Sequence, residues 1–382
     1  MRHRVEYFMR QALGLAARGA STTLPNPCVG AVVVKAGRIV GRGFHERAGM
    51  PHAEVLALRQ AGPRARGATL YCTLEPCDHQ GRTGPCTRAV MRAGIRRVFI
   101  GTTDPNPLVN GRGIRRLRRY GIEVRAGFLE KEGEVLNRPY LFAHRRRRPM
   151  VTVKVAASLD GKTATRTGAS RWITDADSRR HAHRARASFD AIMVGIGTVL
   201  ADDPRLEAPL AYVRPWRPGA ARRRTWTKIV VDSRGRLPLR SRLLRTAGRL
   251  VVAAAAMSRG REEALRRKGA LVVRCPAKGG RVDLKRLMKA LYRLEVRHVL
   301  AEGGATLRGS LFDARLADRA VFYLAPMVIA GEKALPAVGG EGAGPLKAAA
   351  RLRNVTCRRL KNDLLIEGDV VYPGKRRLPA ER

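Results

Sequence analysis

Four consecutive arginines closed by a proline, Arg145-Arg146-Arg147-Arg148-Pro149, carry no apolar period, and proline disfavours a helix running on through them. The chain is therefore expected to break there. At 382 residues it exceeds one ordinary domain and fits two. The expected parts are residues 1–146, residues 149–373 and a basic tail, 374–382. Each large part is long enough to bury a core of its own.

Both parts alternate short apolar runs with helical spacing. Residues 5–18 repeat apolar side chains at helical intervals, and 29–34 read as a buried strand. A second strand, 39–44, follows a turn at Ala36-Gly37. A helix is expected from about 52 to 58, a strand at 68–72 and a helix from Cys86. A strand at 97–101, a helix at 111–120 and an extended segment at 123–125 complete the series. Beyond the arginine run, strands are expected at 150–157, 190–194, 228–232, 249–254, 270–274 and 297–301. Helices are expected at 175–187, 260–268, 283–294 and 305–313, with Thr174 as an N-cap of the first. Residues 319–372 read as mostly strand-like with glycine-rich breaks, and 209–226 as a basic, proline-interrupted loop. This alternation implies two layered α/β domains.

The charge is lopsided: 76 Lys+Arg stand against 31 Asp+Glu. Such a balance first suggests nucleic acid, but aromatics are only 5% of residues, leaving little material for a base-stacking platform. An anionic small substrate with arginine spread over the surface explains more. The six cysteines are sparse, the N-terminus has no apolar secretory core, and no stretch suits a membrane span. A reducing cytoplasm and no membrane partner are expected, with clustered thiols serving as metal ligands.

The chemistry concentrates in His52-Ala53-Glu54, Pro76-Cys77 and Cys86. One imidazole and two thiolates make a three-ligand zinc set with a fourth position left for water. Glu54 stands two residues after a ligand at a helix start, where it can carry protons without binding the metal. The pattern H-x-E followed by P-C is that of zinc-dependent deaminases, although here the cysteines are separated by eight residues rather than two. Cys28 and Cys72 sit in or beside strands and read as core thiols.

Four segments carry a resemblance: Pro25-Asn26-Pro27-Cys28-Val29-Gly30, Pro51-His52-Ala53-Glu54, TLEPCDHQGRTGPC at 73–86, and Asp104-Pro105-Asn106-Pro107. Together they resemble the deaminase domain of the bifunctional riboflavin biosynthesis family, whose fold is similar to cytidine deaminases, and the wide cysteine spacing is typical of it. The resemblance implies a three-layer deaminase domain acting on a phosphorylated diaminopyrimidine. It also implies that Asn26, His45, His79, Arg82, Asp104 and Asn106 line the pyrimidine and phosphate pocket. By chemistry alone Arg82 suits a phosphate, while Asn-Pro and Asp-Pro pairs also start turns.

In the second part, Lys154 lies inside an apolar strand that leads to Ser158-Leu159-Asp160-Gly161. Ala301-Glu302-Gly303-Gly304-Ala305-Thr306 follows a strand and opens a helix, a place that favours phosphate. With Ser170-Arg171-Trp172-Ile173-Thr174 and Gly197-Thr198-Val199-Leu200-Ala201-Asp202-Asp203-Pro204, these segments resemble the reductase half of the same family. That half is similar in fold to dihydrofolate reductase. The resemblance implies NADPH as cofactor, held by Ala156, Trp172, Thr198, Asp202, Ser233, Gly304, Ala305, Thr306, Leu307 and Arg308. It implies substrate contacts at Lys154, Ser170, Arg186, Leu206 and Glu302, and a homo-oligomer formed through this half. Lys154 and Arg186 suit a ribose phosphate, and Asp202 is the residue considered for proton delivery.

One position departs from the family. Pro209 stands where an arginine usually helps hold the substrate phosphate, so a basic neighbour, Arg205 or Arg214, is expected to substitute. Two rival readings share part of this pattern. A deaminase of nucleic-acid bases would use the same zinc set and positive charge, but leaves the second part unexplained. A basic nucleic-acid-binding protein with structural zinc would need a closed four-ligand site, and three ligands are in view.

Overall fold

The computed structural model describes residues 2–81, 83–207 and 226–374. Arg82, Pro209 and Arg214 lie outside them. Chain contacts divide the protein into two compact units, the break along the sequence falling between Arg148 and Pro149.

The first unit opens with α1 (Arg2–Ala17), followed by the hairpin β1 (Gly30–Lys35) and β2 (Arg38–Phe44). Ala36 and Gly37 both have positive φ, the backbone a tight right-twisted hairpin requires. Then come α2 (Ala53–Ala61), β3 (Thr69–Leu74), α3 (Cys86–Arg92), β4 (Arg97–Thr102), α4 (Arg112–Arg119) and β5 (Glu123–Ala126). The sheet order is β2-β1-β3-β4-β5. β1 runs antiparallel to β2 and β3, whereas β3, β4 and β5 are parallel.

Strand alternation builds two cores from one sheet. Ala31, Val33, Leu70, Cys72, Val98 and Ile100 face one core with α2 residues Ala53 and Ala57. Val32, Val34, Tyr71 and Phe99 face the other with Phe8, Met9 and Ala12 of α1. Two glycines let the helices lie this close. A Cβ on Gly30 would fall 2.0 Å from the Ala12 carbonyl oxygen, and one on Gly43 would fall 2.2 Å from that of Ala53. The result is a three-layer, cytidine-deaminase-like domain.

The unit ends in two helices that the sequence reading left out, α5 (Glu130–Leu136) and α6 (Arg138–Arg146). Arg145 and Arg146 thus belong to a helix, a correction to the expectation that the whole arginine run is linker. Burial of Tyr140, Leu141, Ala143 and His144 carries that helix up to the charged residues, and the chain turns at Arg147, where φ is 52°.

The second unit begins with β6 (Met150–Ser158), a short β7 (Lys162–Ala164), α7 (Ala176–Ala185), β8 (Ala191–Gly195) and α8 (Ile196–Asp202). The N-cap of α7 is Asp175, whose carboxylate accepts from Ser178 N at 2.8 Å, and not Thr174 as expected. Next come β9 (Thr227–Val231), β10 (Leu250–Ala254), α9 (Arg259–Arg267) and β11 (Leu271–Arg274). They are followed by the small hairpin β12 (Ala277–Lys278) and β13 (Arg281–Val282), then α10 (Leu284–Arg293), β14 (His298–Ala301) and α11 (Ala305–Asp313). β15 (Arg319–Ala325), β16 (Leu335–Pro336), β17 (Arg351–Leu360) and β18 (Asp363–Val371) close the chain.

Nine strands form one sheet in the order β11-β10-β9-β8-β14-β6-β15-β18-β17. β11 through β15 are parallel, and β18 and β17 continue antiparallel. Val151, Val153, Val155, Val299 and Ala301 pack with Leu287, Leu291, Leu307 and Leu311 of α10 and α11. The return of β14 to a place between β8 and β6 reverses the strand order. Ligands of open α/β sheets bind at the carboxyl ends of the strands flanking such a reversal.

Candidate functional site

In the first unit, three donors meet at the amino ends of two helices. His52 occupies the N-cap of α2 with extended backbone and makes no side-chain cap bond. Ser, Thr, Asp or Asn would ordinarily bond the helix there; the imidazole turns instead to sulfur. His52 Nδ1 lies 3.1 Å from Cys86 Sγ and 3.5 Å from Cys77 Sγ. Cys86 is the first residue of α3, and its N–H donates to Cys77 Sγ at 3.5 Å. Hydrogen bonding from Cys86 draws the Cys77 thiol down to about 4, while the same contact and burial push Cys86 well up. The pair thus holds a thiolate beside a ring whose own pKa is raised, first by its bond to Cys77.

This donor set fits a zinc ion. An ion about 2.0–2.3 Å from each donor is accommodated between atoms this close, and one nitrogen with two sulfurs is a preferred zinc environment. A further sign lies beside it. Glu54 is almost fully buried, and its Oε2 has no hydrogen-bond partner among the described residues. Burial raises its pKa against the opposing pull of His52, so the carboxyl can hold a proton.

The neighbours are arranged around the imidazole. His52 Nε2 lies 3.3 Å from Thr83 Oγ1, and its ring meets that of His45 edge-on at 5.3 Å. Burial, and then the nearby His52, lower His45 to about 4, so it is neutral near pH 7. Asn26 Nδ2 is 3.1 Å from His45 Nε2 and Pro51 O is 3.4 Å from its Nδ1, contacts that a ring protonated on Nδ1 satisfies together. His79, in the loop between the cysteines, has a buried Nδ1 without a partner.

Asp104 and Asn106 form their own turn. Asn106 N donates to Asp104 Oδ1 at 2.8 Å, Leu108 N donates to Asn106 Oδ1 at 3.1 Å, and Tyr140 OH donates to Asp104 Oδ2 at 3.0 Å. Burial raises the Asp104 carboxyl to about 7.

One residue that the sequence reading passed over ties this turn to the metal loop. Glu75, buried two residues before Cys77, accepts from Gly111 N at 2.9 Å, Ile114 N at 3.3 Å and Asp104 N at 3.4 Å. It fixes the start of α4, which packs so tightly that a Cβ on Gly113 would fall 1.9 Å from Pro76 O.

In the second unit a cavity of about 1410 Å³ opens at the carboxyl ends of β6, β8, β9 and β14. It brings together Ala156, Trp172, Thr198, Asp202, Ser233, Gly304, Ala305, Thr306, Leu307 and Arg308, with Lys154, Ser170, Arg186 and Glu302. Leu206 is not in its lining; it is buried with φ of 50°. Arg205 is exposed and also outside the lining.

The cavity's charges are already arranged. Arg186 grips Glu302 with two nitrogens, Nε–Oε1 at 3.0 Å and Nη2–Oε2 at 2.5 Å, and its Nη1 donates to Glu207 O at 2.8 Å. Burial opposes the Glu302 charge, but Arg186 and then Lys154 outweigh it and hold the carboxylate at about 2. With Arg186 committed to Glu302, Lys154 is the cation left facing ligand; burial first, and then Arg186 and Arg308, lower its pKa against Glu302.

Arg308 is buried, donating to Gly303 O at 2.7 Å and Ala337 O at 2.5 Å. Asp202 is exposed and paired with Arg171 at 2.7 Å. A carboxylate bound to a guanidinium is poorly placed to give up a proton, so the proton-delivery role considered for it is not supported by this geometry. Sequence reading also missed Arg179, whose guanidinium covers the Trp172 ring at 4.3 Å.

These centres match known families in the same order along the chain. Residues 2–102 match the cytidine and deoxycytidylate deaminase zinc-binding region, and residues 149–366 match the RibD C-terminal domain. The chain belongs to the RibD family of riboflavin biosynthesis proteins. RibD of Aquifex aeolicus is 41% identical over 94% of this chain and 96% of its own length. That of Escherichia coli is 42% identical over 86% of this chain and 89% of its own.

The crystal structure of RibD from Acinetobacter baumannii superposes with a TM-score of 0.85 at 35% identity, covering 97% of this chain and 100% of that one. A Thermotoga maritima structure, titled a diaminohydroxyphosphoribosylaminopyrimidine deaminase and 5-amino-6-(5-phosphoribosylamino)uracil reductase, gives 0.77 at 33% identity, covering 97% and 99%. This RibD-family chain is a bifunctional enzyme, a zinc-binding deaminase domain followed by a dihydrofolate-reductase-like reductase domain. The reading as a nucleic-acid base deaminase is not favoured. No helix among the described residues is long and apolar enough to cross a membrane.

Proposed function

We propose that the first unit hydrolytically removes the C2 amine of 2,5-diamino-6-ribosylamino-4(3H)-pyrimidinone 5′-phosphate. The second unit then reduces the ribosyl side chain with NADPH, giving 5-amino-6-(5-phosphoribitylamino)uracil. The convergence of His52, Cys77 and Cys86 beside the unpartnered carboxyl of Glu54 carries the reading. A zinc ion held by those donors supplies Lewis acidity toward a water nucleophile. Glu54 takes the proton that water releases, passes one to the ring nitrogen and protonates the departing amine, so that ammonia leaves. Neutral His45, oriented by Asn26, offers a hydrogen bond to the ring, and His79 Nδ1 a second. Asp104 and Asn106 shape that wall as a turn, and Arg82 is assigned to the phosphate by its place in the motif.

In the second unit NADPH supplies the hydride for C1′ of the ring-opened sugar. Lys154 meets the substrate phosphate, Glu302 holds Arg186 and Lys154 in place, and Ser170 contributes a hydroxyl to the same wall. Ala156, Trp172, Thr198, Ser233 and the turn from Gly304 through Arg308 hold the dinucleotide. The large parts of the chain act as domains 1–146 and 149–373. Free thiols at the metal centre suit a reducing cytoplasm. An exposed outer strand, β17, suits assembly of like subunits through the second unit.

The test measures ammonia release and NADPH oxidation separately, for wild type, Glu54→Ala and Lys154→Ala. The Glu54 variant should stop releasing ammonia yet reduce supplied deaminated substrate; the Lys154 variant should do the reverse. Loss of both activities in either variant would contradict the division of labour.

A further inference from the structure

We infer that Arg234, Arg236 and Arg281 form a cradle for the 2′-phosphate of NADPH, making the second unit selective for the 2′-phosphorylated dinucleotide. The inference rests on the NADPH reading above and adds the group that distinguishes this cofactor from NADH.

Two loops build the cradle. After β9 the chain turns tightly: Gly235 N donates to Asp232 O at 3.3 Å and Leu237 N to Asp232 Oδ2 at 2.7 Å, with Gly235 at φ 71°. This turn leaves Ser233, Arg234 and Arg236 lining the cavity. The β12–β13 hairpin turns through Gly279 and Gly280, both with positive φ, and places Arg281 on the same lining. Val282 N donates to Ser233 Oγ at 3.1 Å, locking the hairpin to the turn. The wall is therefore held before ligand arrives.

Its charge is uncommitted. Neighbouring Arg261 donates to Gly235 O at 3.1 Å, and Arg274 pairs with Glu262 at 2.6 Å and reaches Met257 O at 2.8 Å. Arg234, Arg236 and Arg281 make no ion pair among the described residues. Guanidiniums gathered at one end of a cavity repel one another unless an anion joins them, and a phosphate accepts their donors in pairs.

Position identifies which anion. The strand order β9-β8-β14-β6 sets the cradle three strands from Lys154, about 14 Å at the usual strand spacing. A group bound there is remote from the reacting ribose held at Lys154. The glycines that open α11 lie on the strand between and suit the pyrophosphate, which NADPH and NADH share. The far phosphate belongs to NADPH alone.

Direct titration of the full-length chain with NADPH and NADH, followed by calorimetry, tests this, with 2′,5′-ADP and 5′-ADP as probes lacking the nicotinamide. Wild type should bind NADPH and 2′,5′-ADP at least about tenfold more tightly than NADH and 5′-ADP, as charge-assisted hydrogen bonds permit. That preference should shrink as salt rises. The double variant Arg234→Gln, Arg236→Gln and the single variant Arg281→Gln should lose NADPH affinity while keeping that for NADH, which also reports an intact fold. Equal wild-type affinity for the two dinucleotides, or variants that weaken both alike, would overturn the cradle and leave the reductase reading standing. Failure of wild type to bind either dinucleotide would overturn that reading and this inference with it.

Discussion

Glu54 and Glu302 are both buried carboxyls at the centre of a site, and they are treated in opposite ways. Glu54 keeps one oxygen without a partner and has its pKa raised; Glu302 is gripped at both oxygens by Arg186 and held at about 2. Leaving a buried polar atom unpaired costs stability, so it persists where something else will satisfy it. In the first unit that is a proton in transit beside a metal. In the second, the carboxylate never needs a proton: it anchors cations that face a phosphorylated ligand. One site is built incomplete and the other prepaid.

Breaking the first arrangement should have the largest effect. Glu54→Gln removes the proton carrier but keeps the shape, and should slow ammonia release by about 10²–10⁴-fold. Reduction of supplied deaminated substrate should continue; a loss of less than tenfold would deny Glu54 its role. In the second unit, Glu302→Gln leaves Arg186 and Lys154 as buried cations without their counter-charge. Denaturant unfolding should show a loss of about 3–5 kcal/mol, the usual cost of orphaning one partner of a buried pair. An unchanged midpoint would mean that the pair is not buried in solution.

Asp104 sharpens the contrast by pH. Its folded carboxyl keeps a proton to about 7, whereas an unfolded aspartate releases it near 3.8. Between those values the folded state binds more protons. Asp104 therefore contributes stability that is present at low pH and lost as pH rises through about 7. Relative to Asp104→Asn, wild type should lose up to about 1.4 kcal/mol per pH unit across that window. Parallel pH profiles would contradict this. The smallest effect is expected at Cys72, a fully buried thiol on β3. Cys72→Ala should cost about 1 kcal/mol and leave zinc content unchanged, whereas Cys77→Ala should lose the ion.

The sequence made the strand and helix order readable because apolar runs and helical periods are local signals. The zinc set was readable too, since ligand chemistry restricts residue type and spacing. What escaped depends on distant partners. Nothing in Thr-Leu-Glu-Pro-Cys tells that Glu75 caps the start of a helix more than thirty residues away. Helix α8 was hidden inside a segment read for its ligand motif, and α6 behind the arginines that end it. The commitment of Arg186 to Glu302, 116 residues apart, left no trace in either neighbourhood.

Metal analysis coupled to chelation addresses the central claim most directly. The purified protein should contain one zinc per chain; removing it should abolish ammonia release while NADPH-dependent reduction of the deaminated substrate persists, and zinc should restore the loss. Undiminished ammonia release from zinc-free protein would contradict the account.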